Sequence, residues 1–393
     1  MLTPKDLDLK GKIVFLRVDF NVPLDEECKI RDDSRIKAAL PTINYLIEQK
    51  ARVVVASHLG RPKGEYIPEF SLKPVAERLA ELIPQEVILA PDVIGDEVLK
   101  LKKELKEDQV LLLENLRFHK GETANDSSFA QLLAQEVDYY VNDAFGASHR
   151  SHASVVGIAQ YVEKAAAGFL LKKEVDYLSK AVHSPPKPYV AILGGAKVSD
   201  KIPVIENLLN KADSILIGGA MAYTFFKAQG YEVGRSLVEE DKIELARLLL
   251  DRAQEEKVNF YLPSDHLVAA EKDSDAEVKT LDSPPLPSDL MGLDIGPKTV
   301  EKYSEIIAKA KTIFWNGPMG VFEIDKFSQG TMKIAEAVAN SEALSIVGGG
   351  DSVAAVYKAG VSEKISHIST GGGASLEFMA NETLPGIEAL SEK

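Results

Sequence analysis

Three glycine clusters in the second half of the chain each follow a short apolar run. Tyr189–Leu193 leads into Gly194-Gly195, Leu344–Val347 into Gly348-Gly349-Gly350-Asp351, and Ile365–Ser369 into Thr370-Gly371-Gly372-Gly373. Glycine permits a tight turn and lets another group approach the backbone closely. The free N–H groups of a following helix, together with its dipole, favour an anion there. Three such turns predict a surface built for phosphates. Lys197 and Lys201 stand four residues apart after the first turn. That spacing places them on one face of an expected helix, within reach of different phosphates of one nucleotide. Asp351 opens the expected helix after the second turn. It reads as an N-cap or as the carboxylate that holds Mg²⁺ beside a phosphate. Asn316-Gly317-Pro318 ends a further apolar run, Thr312–Trp315.

The first half carries cations instead. Of the eleven arginines, eight lie in the first 150 residues. Arg31, Arg52 and Arg78 read as surface residues; Arg17, Arg35, Arg61, Arg117 and Arg150 are candidates for an anion site, because a guanidinium fork suits carboxylate and phosphate. Several of them stand just past apolar runs. Asp19-Phe20-Asn21 follows Ile13–Val18, Ser57-His58-Leu59-Gly60-Arg61 follows Val53–Ala56, Glu114-Asn115-Leu116-Arg117 follows Val110–Leu113, and the segment ending in His149-Arg150-Ser151-His152 follows Tyr139–Val141. Ligands of open α/β sheets bind beyond the carboxyl ends of the strands. If the sheet is parallel, these segments meet on one edge, with Arg35 joining from the start of a helix. The cluster suits a small, multiply charged anion with a hydroxyl to orient. The alternative is a network of surface salt bridges, which is energetically minor.

Other chemistries lack their signatures. His58, His149 and His152 come without matched carboxylates at metal-ligand spacing. There is no Gly-x-Ser-x-Gly elbow and there are no protein-kinase motifs. No Gly-x-x-x-x-Gly-Lys-Ser/Thr loop is present, and no Gly-x-Gly-x-x-Gly follows the first run.

The elements that must position these residues alternate. Between the runs of the first half, which include Val87–Leu89, lie helix candidates at Ser34–Gln49, Leu72–Leu82, Glu97–Leu105 and Ser127–Gln135. Ser71 and Asp126 are candidate N-caps, and Pro41 is expected to kink the first helix. After Ser184-Pro-Pro-Lys-Pro188 the rhythm restarts, with further runs at Ser214–Ile217 and Asn259–Leu262. Pro284–Pro287 reads as an extended surface loop. Strands alternating with helices imply βαβ units. The expected fold is α/β: two Rossmann-like three-layer α/β/α domains with parallel sheets, joined by a helix and hinge. The expected divisions are an N-terminal domain 1–170 with the tail 381–393, a linker helix 171–183 and a C-terminal domain 184–380.

The chain has 393 residues, enough for two cores. Its formal net charge of −14 argues against nucleic acid and against an anionic membrane surface. Cys28 is the single cysteine, so no internal disulfide is expected. The N-terminal residues lack a signal-peptide core, and no apolar run is long enough to span a bilayer, so the cytoplasm is the expected compartment.

The order of these segments closely resembles that of the phosphoglycerate kinases. The match runs from Arg17-Val-Asp-Phe-Asn-Val-Pro23 to Thr383-Leu-Pro-Gly-Ile387. It includes Ser57–Pro62, Leu113–Phe118, Asn142–Gly146, Leu193–Lys201, Phe314–Glu323, Gly348–Ser352 and Ser369–Ala374. The resemblance implies reversible phosphoryl transfer from 1,3-bisphosphoglycerate to MgADP, giving 3-phosphoglycerate and MgATP, in a monomer that closes about its hinge. It implies that Asp19, Phe20, Asn21, Arg35, His58, Leu59, Gly60, Arg61, Arg117 and Arg150 hold the glycerate and its resting phosphate. Lys197, Lys201, Gly292, Asn316, Glu323, Gly349, Gly350, Asp351 and Ser352 are implied for the nucleotide, with Asp351 on its Mg²⁺. Arg35, Lys197 and the N–H groups of Gly371, Gly372 and Gly373 are expected to face the group in transfer. The tail around Ile387–Leu390 is expected on the first domain. His119 stands where the family usually has an aromatic residue and Ser151 where it has alanine; neither is expected to touch the chemistry. A nucleotide-binding sensor without catalysis and a dehydrogenase are the competing classes.

Overall fold

The computed structural model describes residues 1–282 and 284–391. Contacts divide the chain into two compact units, Met1–Asp176 with Thr383–Lys393, and Tyr177–Glu382.

Unit 1 is built on six parallel strands: β1 (Ile13–Arg17), β2 (Arg52–Ala56), β3 (Glu86–Leu89), β4 (Gln109–Leu112), β5 (Tyr139–Asn142) and β6 (Lys164–Ala167), in the order β3-β4-β2-β1-β5-β6. All five residues of β1 are buried. That is why Ile13–Leu16 is a continuous apolar run with no alternation, with the buried Arg17 closing the strand: both faces of a parallel sheet are covered. The helices are α1 (Ser34–Glu48), α2 (Lys73–Leu82), α3 (Asp96–Glu104), the short α4 (Lys120–Thr123), α5 (Ser127–Ala134) and the start of α6 (Phe169–Val182). In α1, Ile36, Ala39, Ile43, Leu46 and Ile47 form the buried stripe that helical periodicity requires. They pack on Val14, Leu16, Val53 and Val55 of the sheet.

Unit 2 repeats the plan with β7 (Tyr189–Leu193), β8 (Ser214–Ile217), β9 (Asn259–Tyr261), β13 (Thr312–Asn316), β14 (Leu344–Gly348) and β15 (His367–Ile368) in the order β15-β14-β13-β7-β8-β9, all parallel. Its helices are α7 (Ile202–Leu208), α8 (Met221–Ala228), α9 (Ile243–Glu255), α10 (Pro297–Ala308), α11 (Gln329–Ala339), α12 (Gly350–Lys358) and α13 (Gly373–Asn381). The last helix, α14 (Pro385–Ser391), belongs to unit 1, where Gly386 N donates to Ser148 O at 2.9 Å.

The structure departs from the sequence expectations at several points. A three-stranded antiparallel sheet, β10 (Asp265–Ala269), β11 (Lys279–Asp282) and β12 (Met291–Ile295), stands apart from the parallel sheet of unit 2. Strand β6 was not expected, because Lys164-Ala-Ala-Ala lacks the β-branched residues that favour strands. The expected run Ile365–Ser369 pairs over two residues only. Ser71 is not the N-cap of α2; Leu72 is, although the Ser71 hydroxyl accepts Lys73 N at 3.2 Å. Asp126 does cap α5, accepting Phe129 N at 2.8 Å. Leu286, inside the expected surface loop, is buried and bridges to Val233. The division between units falls between Asp176 and Tyr177, inside α6 and within the segment 171–183 expected as a linker helix.

Candidate functional site

In unit 1 the chain turns one way from β1 into β2 and reaches β5 on the other side, so a crevice opens at the carboxyl end of β1. The segments after β1, β2 and β4 are laced together there by side-chain to backbone hydrogen bonds. Ser57 Oγ accepts Phe20 N at 2.8 Å, Asn21 Oδ1 accepts Gly60 N at 2.9 Å, and Asn115 Oδ1 accepts Leu59 N at 3.2 Å. Arg117 Nη1 donates to Gly60 O at 2.8 Å. Phe20 and Leu59 bury their side chains, so each can offer the crevice edge only its own backbone.

On this frame sit the charged groups. Arg35, on the first turn of α1, pairs with Asp19 at 2.5 Å. Arg61 and Arg150 are exposed. The Arg117 pKa is pushed down to about 10, first by burial and then by Arg17 and Arg150. Its Nε has no hydrogen-bond partner among the described residues. His58 is buried, and burial, then Arg17, Arg117 and Arg35, hold its pKa well below the ordinary imidazole value. His152 is pushed down to about 3 by burial first, then by Arg117, Arg17 and Arg150. It is therefore neutral, and its 3.7 Å approach to Glu122 is no ion pair. The arrangement is a concentration of positive charge with donors to spare.

In unit 2 the switch point lies between β7 and β13, and the loops after these strands interlock. Gly194 N donates to Asn316 O and Gly195 N to Pro318 O, both at 3.0 Å. A Cβ on Gly194 would run into the carbonyls of Gly317 and Pro318, which is why glycine is required there. A cavity of about 330 Å³ opens above them. Its walls bring together the first two glycine turns and Gly372-Gly373, along with Lys197, Lys201, Asn316, Asp351 and Ser352. Lys201 is buried, which pushes its pKa down while Asp200 and Asp351 oppose the shift. Its Nζ donates to Asn316 Oδ1 at 2.5 Å. The buried Nδ2 of Asn316 has no partner among the described residues, so it is a donor available to an anion.

Two expectations need correcting here. Lys197 and Lys201 are not on a helix; they lie in the turn before α7. Pro203 favours the helix's first turn, and Ser199 N and Oγ tie the turn to Glu239 at 3.0 and 2.6 Å. Gly371 is buried, spends its N–H on Ser369 Oγ at 3.2 Å, and does not line the cavity. Ser352 Oγ likewise accepts Gly317 N, at 2.5 Å.

A second cavity, of about 260 Å³, adjoins the first and shares Gly195, Ala196, Pro318 and Asp351 with it. It is mostly apolar, walled by α8, β10 and β12, and it contains Gly292 and Glu323. Sequence reasoning missed its other walls. Tyr223 OH lies 2.9 Å from His266 Nδ1, and the ring fills the space where a Cβ on Gly292 would stand. Buried Asp294 accepts Gly330 N at 2.7 Å and Ile295 N at 2.9 Å, and burial pushes its pKa up to about 7. Only the antiparallel sheet brings these residues here, and no local motif marks them. An apolar cleft continuous with a glycine-lined polar one has the form of a base site beside a phosphate site.

Asp351 is exposed at the junction of the two cavities. Among the described residues, no group of three or more His, Cys, Asp or Glu is placed to hold a metal ion alone. A single carboxylate fits Mg²⁺ that arrives on nucleotide phosphates, since Mg²⁺ is usually bound by one or two carboxylates with phosphate and water oxygens. No helix of the described residues is long and apolar enough to cross a membrane.

Fold and cavities thus describe a kinase-like phosphotransferase with parallel α/β sheets. The family model for phosphoglycerate kinase matches residues 4–382. A phosphoglycerate kinase of Anaeromyxobacter sp. is 59% identical over 386 residues, covering 98% of each chain. One from Acidobacterium capsulatum is 56% identical over 401 aligned positions, covering 100% of this chain and 99% of the relative. The solved phosphoglycerate kinase of Coxiella burnetii superposes with a TM-score of 0.91 at 44% identity, covering 100% of this chain and 99% of the other. That of Pyrococcus horikoshii gives 0.82 at 39%, covering 100% and 98%. The chain belongs to the phosphoglycerate kinase family.

Proposed function

We propose that this chain transfers a phosphoryl group reversibly between 1,3-bisphosphoglycerate and ADP, and that the residues gathered in the two units carry out the two halves of the task. The observation that carries the reading is the glycine-lined cavity of unit 2. There Lys197, Lys201, Asn316 and Asp351, from three separate stretches of chain, line one space beside an apolar cleft. The cationic cluster of unit 1 supplies the complementary site for the acid. Arg35, Arg61, Arg117 and Arg150 would hold its phosphate and carboxyl groups; Asp19 and Asn21 would orient its hydroxyl.

In the ATP-consuming direction the nucleophile is a carboxylate. Its pKa of about 4 leaves it ionised at neutral pH, so no general base is needed. The protein's tasks are positioning and charge stabilisation of a loose transition state. Arg35, Lys197 and the amides of Gly372 and Gly373 are the donors assigned to the moving group. Asp351 would hold Mg²⁺, which when bound neutralises nucleotide phosphate charge. In-line transfer needs the reacting atoms within about 3–3.5 Å, so turnover requires closure with both substrates bound, which also excludes water from the acyl phosphate. Small, charged metabolites and a single free cysteine suit a monomeric enzyme of a reducing cytoplasm.

The test is a coupled assay with 3-phosphoglycerate and MgATP, run beside nucleotide binding alone. Turnover that needs both substrates supports the reading. Nucleotide binding without turnover would leave a sensor, and a nicotinamide requirement would leave a dehydrogenase.

A further inference from the structure

Beneath the acid site lies a carboxylate that the chemistry above does not use. Glu122, in α4, has no exposed surface. Its Oε2 accepts Ser154 N at 2.9 Å and its Oε1 accepts Ser154 Oγ at 2.7 Å. While donating to Glu122, the Ser154 hydroxyl accepts Arg17 Nε at 2.8 Å. Arg17, fully buried at the end of β1, donates Nη1 to Val18 O and places Nη2 3.1 Å from His58 Nδ1.

The direction of every link is fixed by the groups themselves. A carboxylate only accepts and a guanidinium only donates. Ser154 must therefore donate its hydroxyl hydrogen bond to Glu122 and accept one from Arg17. The Arg17 guanidinium leaves His58 Nδ1 nothing to do but accept. A neutral imidazole that accepts at Nδ1 carries its proton on Nε2. The cations facing His58 are Arg17, Arg117 and Arg35, and they oppose a second proton on the ring.

We propose that Glu122, acting through Ser154 and Arg17, is the positioning group that fixes His58 as its Nε2–H tautomer and so makes it a neutral donor to an oxygen of the acid substrate. This rests on the assignment of His58 to the acid site. A chain of donors ending in a buried carboxylate also gives the buried Arg17 charge a counter-charge, without which burial is costly. Glu122 itself sits in Lys120-Gly-Glu-Thr123, a segment with no motif.

The test reads the tautomer first. Long-range ¹H–¹⁵N spectra of the labelled full chain, between about pH 6 and 8, should show His58 with Nδ1 bare and Nε2 protonated. A protonated Nδ1 in the wild type overturns the relay. Ser154→Ala then removes the hydroxyl but keeps the peptide N–H to Glu122. It should mix the His58 tautomers and raise KM for 3-phosphoglycerate about tenfold, with kcat and nucleotide KM within about twofold. Ser154→Thr, which returns a hydroxyl, should restore the single tautomer and the KM. An unchanged tautomer and KM in Ser154→Ala also overturn the relay. Should Ser154→Ala not fold, the wild-type spectrum decides alone. His58→Ala separates the two readings: an unchanged KM for 3-phosphoglycerate removes His58 from the acid site, whatever the tautomer.

Discussion

The cationic cluster of unit 1 is made of side chains, whereas the glycine-lined cavity of unit 2 is made largely of backbone. In unit 1 the loops are tied by Ser57, Asn21 and Asn115, and they present guanidiniums with few carboxylates nearby. In unit 2 the glycine turns after β7, β14 and β15 leave the main chain bare, and the deeply placed cation Lys201 is bonded to Asn316. The difference suits the ligands proposed for the two units. A small acid offers a carboxylate, a hydroxyl and a phosphate at set positions, which forked, directional side chains can read. A nucleotide's phosphates carry a metal and need close approach, which glycine backbone and helix N-termini supply without excess positive charge.

The sharpest way to break the comparison is Arg35→Ala. Turnover should fall by about 10²–10³-fold, the cost of removing one donor to transition-state charge, while ADP affinity measured by calorimetry stays at the wild-type level. Comparable losses in both would show that the two sites are not separable. Gly349→Ala probes the other side. Gly349 has φ +89, and a Cβ there would stand 2.9 Å from Asn316 Nδ2. Forcing a left-handed conformation on alanine costs about 1–2 kcal/mol, so nucleotide KM should rise about tenfold with KM for 3-phosphoglycerate unmoved.

Salt should separate the sites more gently. Arg61 and Arg150 are exposed, and exposed charges are screened over about 8–10 Å at physiological ionic strength. Raising salt should increase KM for 3-phosphoglycerate severalfold more than KM for nucleotide; equal slopes would mean that exposed arginines do not dominate acid binding. The smallest effect concerns acid stability. The pKa of His152 falls from an ordinary 6.5 to about 3 on folding. The unfolded chain therefore takes up the proton first, so this stability is present in full above pH 6.5 and is lost as pH falls towards 3. Asp143, raised to about 6 by burial, acts in the opposite sense. It contributes most below the ordinary aspartate value of 3.8 and loses its contribution as pH rises through 6. His152→Gln should flatten the acid loss measured by hydrogen exchange in β1 and β5; an unchanged slope would show that His152 protonates freely in the fold.

Much of this was legible in the chain because parallel sheets are buried on both faces. Val53–Ala56 and Tyr189–Leu193 must be continuous apolar runs, and the polar residues just beyond them must lie at one sheet edge. The glycine turns and the arginines could therefore be placed before any coordinates. The cavity wall formed by Tyr223, His266 and Asp294 could not, since it depends on the antiparallel pairing of β10 with β11 and β12. Local pattern also misplaced the lysine pair, because four-residue spacing means one helix face only if the helix has begun, and here it begins at Ile202.

The sequence by itself determined the fold class, the family and the types of residue at each strand end, since these follow from local periodicity and ordered motifs. Only the tertiary structure decided which donors are spent and which remain. Gly371 gives its amide to Ser369. Arg17 turns away to Ser154 and His58, and Lys201 bonds to Asn316. Each of these partners is distant in sequence or hidden behind a turn, and burial requires that such groups be paired.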